Sequence, residues 1–223
     1  GWSLQPANAE LLEALTQDFI ASNYDLRALI TKIAKSNAYQ LSSQYPGNWG
    51  LTLVPYYARK YVRRLDAEEI HDAILKATNI GTSFQIKNSL GNVNRTLNWA
   101  MQLPDTTTAT NTFLDSFLRG NRDNELRSVD ATLLQALNLM NSSFVSSRIH
   151  QANANSSVAT LLSNQALTSP EIINQLYLNR LSRRPTTAET DYLLPLFSSL
   201  GRKEATESLQ WTLLNKMDFI YNY

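Results

Sequence analysis

The chain has 223 residues, 43% of them hydrophobic, enough for one ample core or two small ones and too much for a disordered polymer. Twenty basic residues against nineteen acidic ones give a formal net charge of +1, so no overall field draws it to nucleic acid or an anionic membrane. It contains no cysteine, which excludes disulfides, thiolate zinc sites and covalently attached haem within it but leaves its compartment open.

The opening GWSLQPANAELL lacks the basic start and oily middle of a signal peptide. It reads as an internal beginning, so any targeting signal is expected upstream. No apolar run approaches the ~20 residues that span a bilayer. Leu12, Leu15 and Phe19 share one helical face, bordered by Leu11. Asp25 is placed to cap a second helix whose stripe is Leu26, Leu29, Ile30 and Ile33. SSQYPGNWGLTLVP then breaks the pattern with Pro46, Gly47, Gly50 and Pro55, a loop and a candidate seam near residues 42–56.

Asp66 opens the clearest helix, with Glu69 in the position of a capping-box partner. Ala67, Ile70, Ile74 and Ala77 follow at helical spacing, and Gly81 can close the end. Residues 80–92 read as loop, followed by short helices near 94–102 and 110–118. In the last third Ser169 caps a helix with Pro170 in its first turn, its inward face being Ile173, Leu176, Tyr177 and Leu181. Pro185 stops it, Thr186 with Glu189 forms another capping box, and Gly201 ends the helix so opened. A final helix from about Glu204 carries Leu209, Trp211 and Leu213. The expected fold is all-α: a compact multi-helix domain over 1–223 with long irregular loops and little or no β-sheet, and a C-terminal helical subdomain at about 168–223.

One stretch, RSVDATLLQALNLMNSSFV, is oily yet carries Gln135, Asn138 and Asn141. On a helical wheel Leu133, Ala136, Leu137 and Met140 cluster, flanked by Leu134 and Leu139, and Gln135 and Asn138 occupy the narrow opposite strip. A helix apolar around most of its girth is usually buried on several sides. The amides then bond to neighbouring loop backbone or line a polar pocket; the first reading is preferred, because a pocket normally needs titratable groups as well.

LLQALNLMNSSFV resembles a signature of a bacterial domain of unknown function (1553) found beside planctomycete-type cytochrome c domains. The likeness continues in order along the chain. ELLEALTQDFIASNYDLRALITKIAKSNAYQLSS is similar to that family's early helices, and YYARKYVRRLDAEEIHDAIL to its arginine-rich entry to a central helix. NRLSRRPTTAETDYL and LLNKMDFIYNY resemble its closing helices, whereas GTSFQIKNSLGNVNRTLNW lacks the Gly-Gly-Pro stretch of many members. The resemblance implies a large, exported multidomain parent, periplasmic or secreted. It implies a haem domain elsewhere in that parent, and no assigned reaction.

Four constellations bear on chemistry. Glu68, His71 and Asp72 share a helix face as weak catalytic candidates, and Glu-x-x-His is half of a carboxylate-bridged di-metal site. The other half has no counterpart around His150, the second histidine, so no metal is expected. Tyr56, Tyr57, Arg59, Lys60, Tyr61, Arg63 and Arg64 interleave base and ring, a pattern that can hold nucleic acid; at near-zero net charge, packing over a core with an Arg64–Glu68 pair is preferred. Arg122, Asp123, Glu125 and Arg127 form the most plausible recognition loop, although a salt-linked loop cap is the preferred reading of them, with Arg122, Arg127, Gln135 and Asn138 as candidate ligand-binding residues. Arg180, Arg183 and Arg184 are placed to complement their helix's C-terminal end. The favoured function is a non-catalytic structural and interaction module with no cofactor in this segment, docking on other domains of its parent or on envelope proteins. The competing one is a hydrolase acting on an anionic polysaccharide through Arg122, Arg127, Glu68 and His71.

Overall fold

The computed structural model describes residues 5–87, 90–108, 111–120 and 132–222. Among these there are eleven α-helices and two small two-stranded sheets, a mainly α fold. The chain divides into two compact units, Gly1–Arg63 and Arg64–Asn222.

In the first unit α1 (Ala9–Ala21) starts at Asn8, whose side chain accepts from the Leu11 amide, and α2 (Leu26–Lys35) at Asp25, which accepts from Ala28. Asn23 and Tyr24 take left-handed φ values of 55° and 61° and turn the chain between them. A Lys32–Asp18 ion pair and an edge-on Phe19–Tyr24 contact at 5.5 Å tie the hairpin. The stripes do not become a core: neither helix has a buried residue, and Leu12 and Ile30 are 54% and 57% exposed. Two short helices cover only each other's inner flanks, here Leu15, Phe19 and Leu29. After the 3-10 turn Leu51–Tyr56, Trp49 meets Tyr45 at 5.4 Å and Tyr61 at 5.9 Å, with the Arg59 guanidinium 4.1 Å over the indole. Lys60 lies over Tyr39 at 3.9 Å. These cations are engaged with rings of their own unit.

The second unit is built around α3 (Ala67–Thr78), opened by the expected Asp66–Glu69 capping box. It closes at Asn79, φ 56°, two residues ahead of Gly81, because asparagine tolerates the left-handed conformation. Residues 80–92 and 94–102 differ from expectation. Phe84–Lys87 and Val93–Leu97 pair antiparallel, with a register shift between Ile86 and Lys87, and only a 3-10 turn, Ala100–Gln102, follows. α4 (Thr112–Ser116) comes next, capped by Asn111.

α5 (Leu133–Asn141) and α6 (Ser143–Ile149) are separate, broken at Ser142. Then come α7 (Ser157–Ser163), α8 (Ser169–Leu181), α9 (Thr187–Leu200), α10 (Arg202–Leu214) and α11 (Met217–Ile220). The α8 cap is Thr168, paired with Glu171, one residue before the expected Ser169. The Thr186–Glu189 box opens α9 as expected.

Two hydrophobic clusters fill this unit. One gathers Ile70 and Ile74 of α3 with Phe84, Leu97, Phe113, Phe117, Leu139 and Leu214. The other joins Ile173, Leu176 and Tyr177 of α8 to Phe197, Leu209 and Leu213. Leu213 and Leu214 enter different clusters because successive helical side chains point ~100° apart, so α10 serves both.

Candidate functional site

The acid-base trio lies on α3. His71 is fully buried, its ring stacked on Phe144 at 4.6 Å and 5.5 Å from Phe84. Its Nδ1 lies 2.9 Å from Asp72 Oδ1, so the carboxylate fixes the proton on Nδ1. Nε2 has no hydrogen-bond partner among the described residues. Asp72 also accepts from the Ala100 amide at 2.8 Å and the Met101 amide at 3.0 Å, so it caps the 3-10 turn after the strand pair. Glu68 is buried beside them. The three therefore sit inside packed structure, and none is among the described residues that line a cavity beside α5. Among the described residues no group of three or more histidines and carboxylates could hold a metal ion.

That cavity, of 290 Å³, opens between α5 and the end of α10. Phe117, Leu139 and Ile220 form its apolar floor and Ala136, Met140 and Met217 its exposed mouth. Among the described residues four polar ones line it: Arg64, Thr132, Gln135 and Asn215. Gln135 owes its place to a capping box, its backbone N–H donating to Thr132 Oγ1 at 3.3 Å while the Thr132 N–H donates to Gln135 Oε1 at 3.2 Å. Arg64 Nη1 donates to the same Oε1 at 2.5 Å. Asn215 comes from the other side, its Nδ2 donating to the Trp211 carbonyl at 2.8 Å at the close of α10.

This reverses the helical-wheel reading of α5. Leu133, Leu134, Leu137 and Met140 are 77%, 59%, 46% and 44% exposed, while Gln135 and Leu139 are buried. The strip holding Gln135 turns inward because Arg64 and the capping box both grip it. Asn138 does not reach the cavity; its Nδ2 donates to the Leu134 carbonyl of its own helix at 3.1 Å. Arg122, Asp123, Glu125 and Arg127 lie outside the described residues.

Two arginine placements also differ from expectation. Arg180 does not complement its own helix end: it is buried, donating from Nη2 to Ser157 Oγ at 2.5 Å and to Gln210 Oε1. Burial lowers its pKa to about 10. Arg183 forks onto Glu189, Nη1 to Oε2 at 2.8 Å and Nη2 to Oε1 at 2.9 Å, and Nη2 reaches Asp218 at 2.8 Å. Neither Gln210 nor Asn215 carries a sequence signal, since Gln210 is defined by partners 30 and 62 residues away and Asn215 by a helix end.

Fold and cavity together define a mainly helical protein whose ionisable side chains chiefly hold helices to one another. Residues 3–197 match the family model PSD1: Protein of unknown function (DUF1553), and the chain belongs to that family. No curated protein and no solved structure matches it.

Proposed function

We propose that the chain is a non-catalytic structural and interaction module of an exported multidomain protein, docking on other domains of that protein or on envelope proteins. The observation that carries this reading is the outward apolar face of α5, where Leu133, Leu134, Leu137 and Met140 stand together in solvent. Contiguous exposed apolar surface on a folded chain marks a face that another protein covers. α1 and α2, with no buried residue between them, supply a second such surface within the first unit. Placing His71 and Glu68 in the core supports the same reading, because a hydrolase needs its acid and base at a cleft.

Hydrogen exchange of the chain alone, against the same chain within its full-length parent, tests the proposal. Slower exchange across α5 and α1–α2 in the parent is the expected result. Equal exchange in both settings, or turnover of a polysaccharide that His71→Phe abolishes without unfolding the chain, overturns it.

A further inference from the structure

We infer that the first unit binds the surface of an anionic phospholipid membrane, through the exposed side of α2 and the aromatic segment that follows it. The inference goes beyond the proposed function, which is carried by α5, and each can fail without the other.

The net charge of +1 conceals a division within this unit. Its four carboxylates, Glu10, Glu13, Asp18 and Asp25, all lie in residues 1–25, where there is no lysine or arginine. Residues 26–63 hold six cations and no carboxylate. Asp18 answers Lys32. Arg27, Lys35, Arg59 and Lys60 have no carboxylate partner among the described residues. Arg59 lies over Trp49 and Lys60 over Tyr39, and a ring orients a cation without cancelling its charge.

Apolar surface accompanies this charge. Not one of the described residues 5–63 is buried, so the unit has no core of its own. Leu26, Ile30 and Ile33 line one side of α2 and are 60%, 57% and 40% exposed. Arg27 and Lys32 flank that stripe on its two sides. Leu51 and Tyr56, at the two ends of the uncharged 3-10 turn, are 84% and 75% exposed. The segment is tied back on itself, the Lys60 N–H donating to the Ser42 carbonyl at 3.1 Å.

Cations, tyrosines and aliphatic side chains together select the partner. Phosphate headgroups meet Arg27, Lys35, Arg59 and Lys60, and the acyl boundary takes Leu26, Ile30, Ile33 and Leu51. Tyrosines suit the zone between, with the ring towards the chains and the hydroxyl towards water. A soluble polyanion would meet the cations and leave the aliphatic side chains in water. A protein surface is the poorer match, because lysine is depleted from such interfaces, whereas its long stem lies readily over hydrocarbon with the charge at the headgroups. The contact is peripheral; no helix among the described residues is long and apolar enough to cross a membrane.

The test is co-sedimentation of the full chain with vesicles of equimolar phosphatidylglycerol and phosphatidylcholine, against vesicles of phosphatidylcholine alone. Binding to the first about tenfold tighter than to the second, and weakened by salt, is expected. Each lysine or arginine near an anionic surface strengthens association about fivefold, so Arg27→Gln with Lys35→Gln should lose about twentyfold. Ile30→Gln with Leu51→Ser should lose about tenfold by removing buried hydrocarbon. Tyr192→Ser, which removes a ring 73% exposed in the second unit, should bind as the parent sequence does. All these positions are exposed, so circular dichroism should show every variant folded. Equal binding to both vesicles, or no loss in either double variant, overturns the lipid assignment. So does dextran sulfate bound as tightly as the anionic vesicles and unaffected by Ile30→Gln with Leu51→Ser, which marks a soluble polyanion. No binding to either vesicle overturns the inference as well, and protection of α2 within the parent would then assign this surface to a protein.

Discussion

Gln135 and Arg64, 71 residues apart in the chain, share a buried hydrogen bond of 2.5 Å in which the guanidinium Nη1 donates to the amide oxygen. The contact joins the start of the second unit to α5 and decides which side of α5 faces inward. An amide able to satisfy a buried cation is worth more inside than a leucine, whose exposure is tolerated on protein surfaces.

This orientation makes a paired prediction. Gln135→Leu removes an acceptor from a buried cation and should cost about 2–3 kcal/mol in urea unfolding of the chain. Leu137→Lys alters a side chain that is 46% exposed and should stay within about 0.5 kcal/mol of the parent sequence. If the leucine change is the damaging one, the helix is oriented the other way round.

His71 offers a second separation of roles. Its ring fills space between Phe84, Phe113 and Phe144. His71→Ala should cost about 3–5 kcal/mol, as other buried aromatic truncations do. His71→Phe keeps the volume and removes Nε2, which has no partner among the described residues, at the loss of one bond to Asp72, which retains the Ala100 and Met101 amides. It should lie within about 1.5 kcal/mol of the parent sequence. Circular dichroism melts of the two variants check this, and equal large losses would mean that the imidazole's polarity, rather than its bulk, is what the core uses.

These residues also show where reading from sequence succeeds. The Asp66–Glu69 and Thr186–Glu189 boxes were legible because a capping box is complete within four residues. The strand pair was not. Phe84–Lys87 and Val93–Leu97 bury one residue fully apiece and carry a register shift, so no alternation marks them. For α5 the wheel identified which residues share a face and could not say which face turns inward, because that is settled by Arg64. Half of the cavity was visible in Gln135. Asn215 was not, since its position depends on where α10 stops.

Arg180 and Gln210 predict an asymmetry. The guanidinium is buried with Nε and Nη1 lacking hydrogen-bond partners among the described residues, which burdens the fold. Arg180→Met, similar in length and apolar, should leave stability unchanged or raise it by about 1–3 kcal/mol, as replacement of buried charge often does. Gln210→Leu instead strips the cation of an oxygen and the Arg148 carbonyl of its 2.8 Å donor, and should cost about 2–3 kcal/mol. Denaturant midpoints of both variants decide it; a strong loss in Arg180→Met would show that the charge itself is required.

Acid unfolding should report on Glu189. The forked hydrogen bonds from Arg183, helped by Lys216 and the Thr186 amide, hold its carboxyl well below the usual carboxylate range despite its partial burial. Asp218 is lowered in the same way, first by Arg183. A carboxyl whose folded pKa is depressed releases its proton more readily when folded, so its stabilisation is complete above the ordinary unfolded value near pH ~4.3 and is lost as pH falls towards the folded one. Glu189→Gln should therefore be less stable than the parent sequence at pH 7, and the difference should shrink steadily between about pH 4.5 and pH 2. Added salt should narrow the difference at pH 7, because the group is partly exposed and open to screening. A difference that stays constant across the acid range would mean that Glu189 acts only through its capping bonds to Thr186, which a glutamine also makes in part.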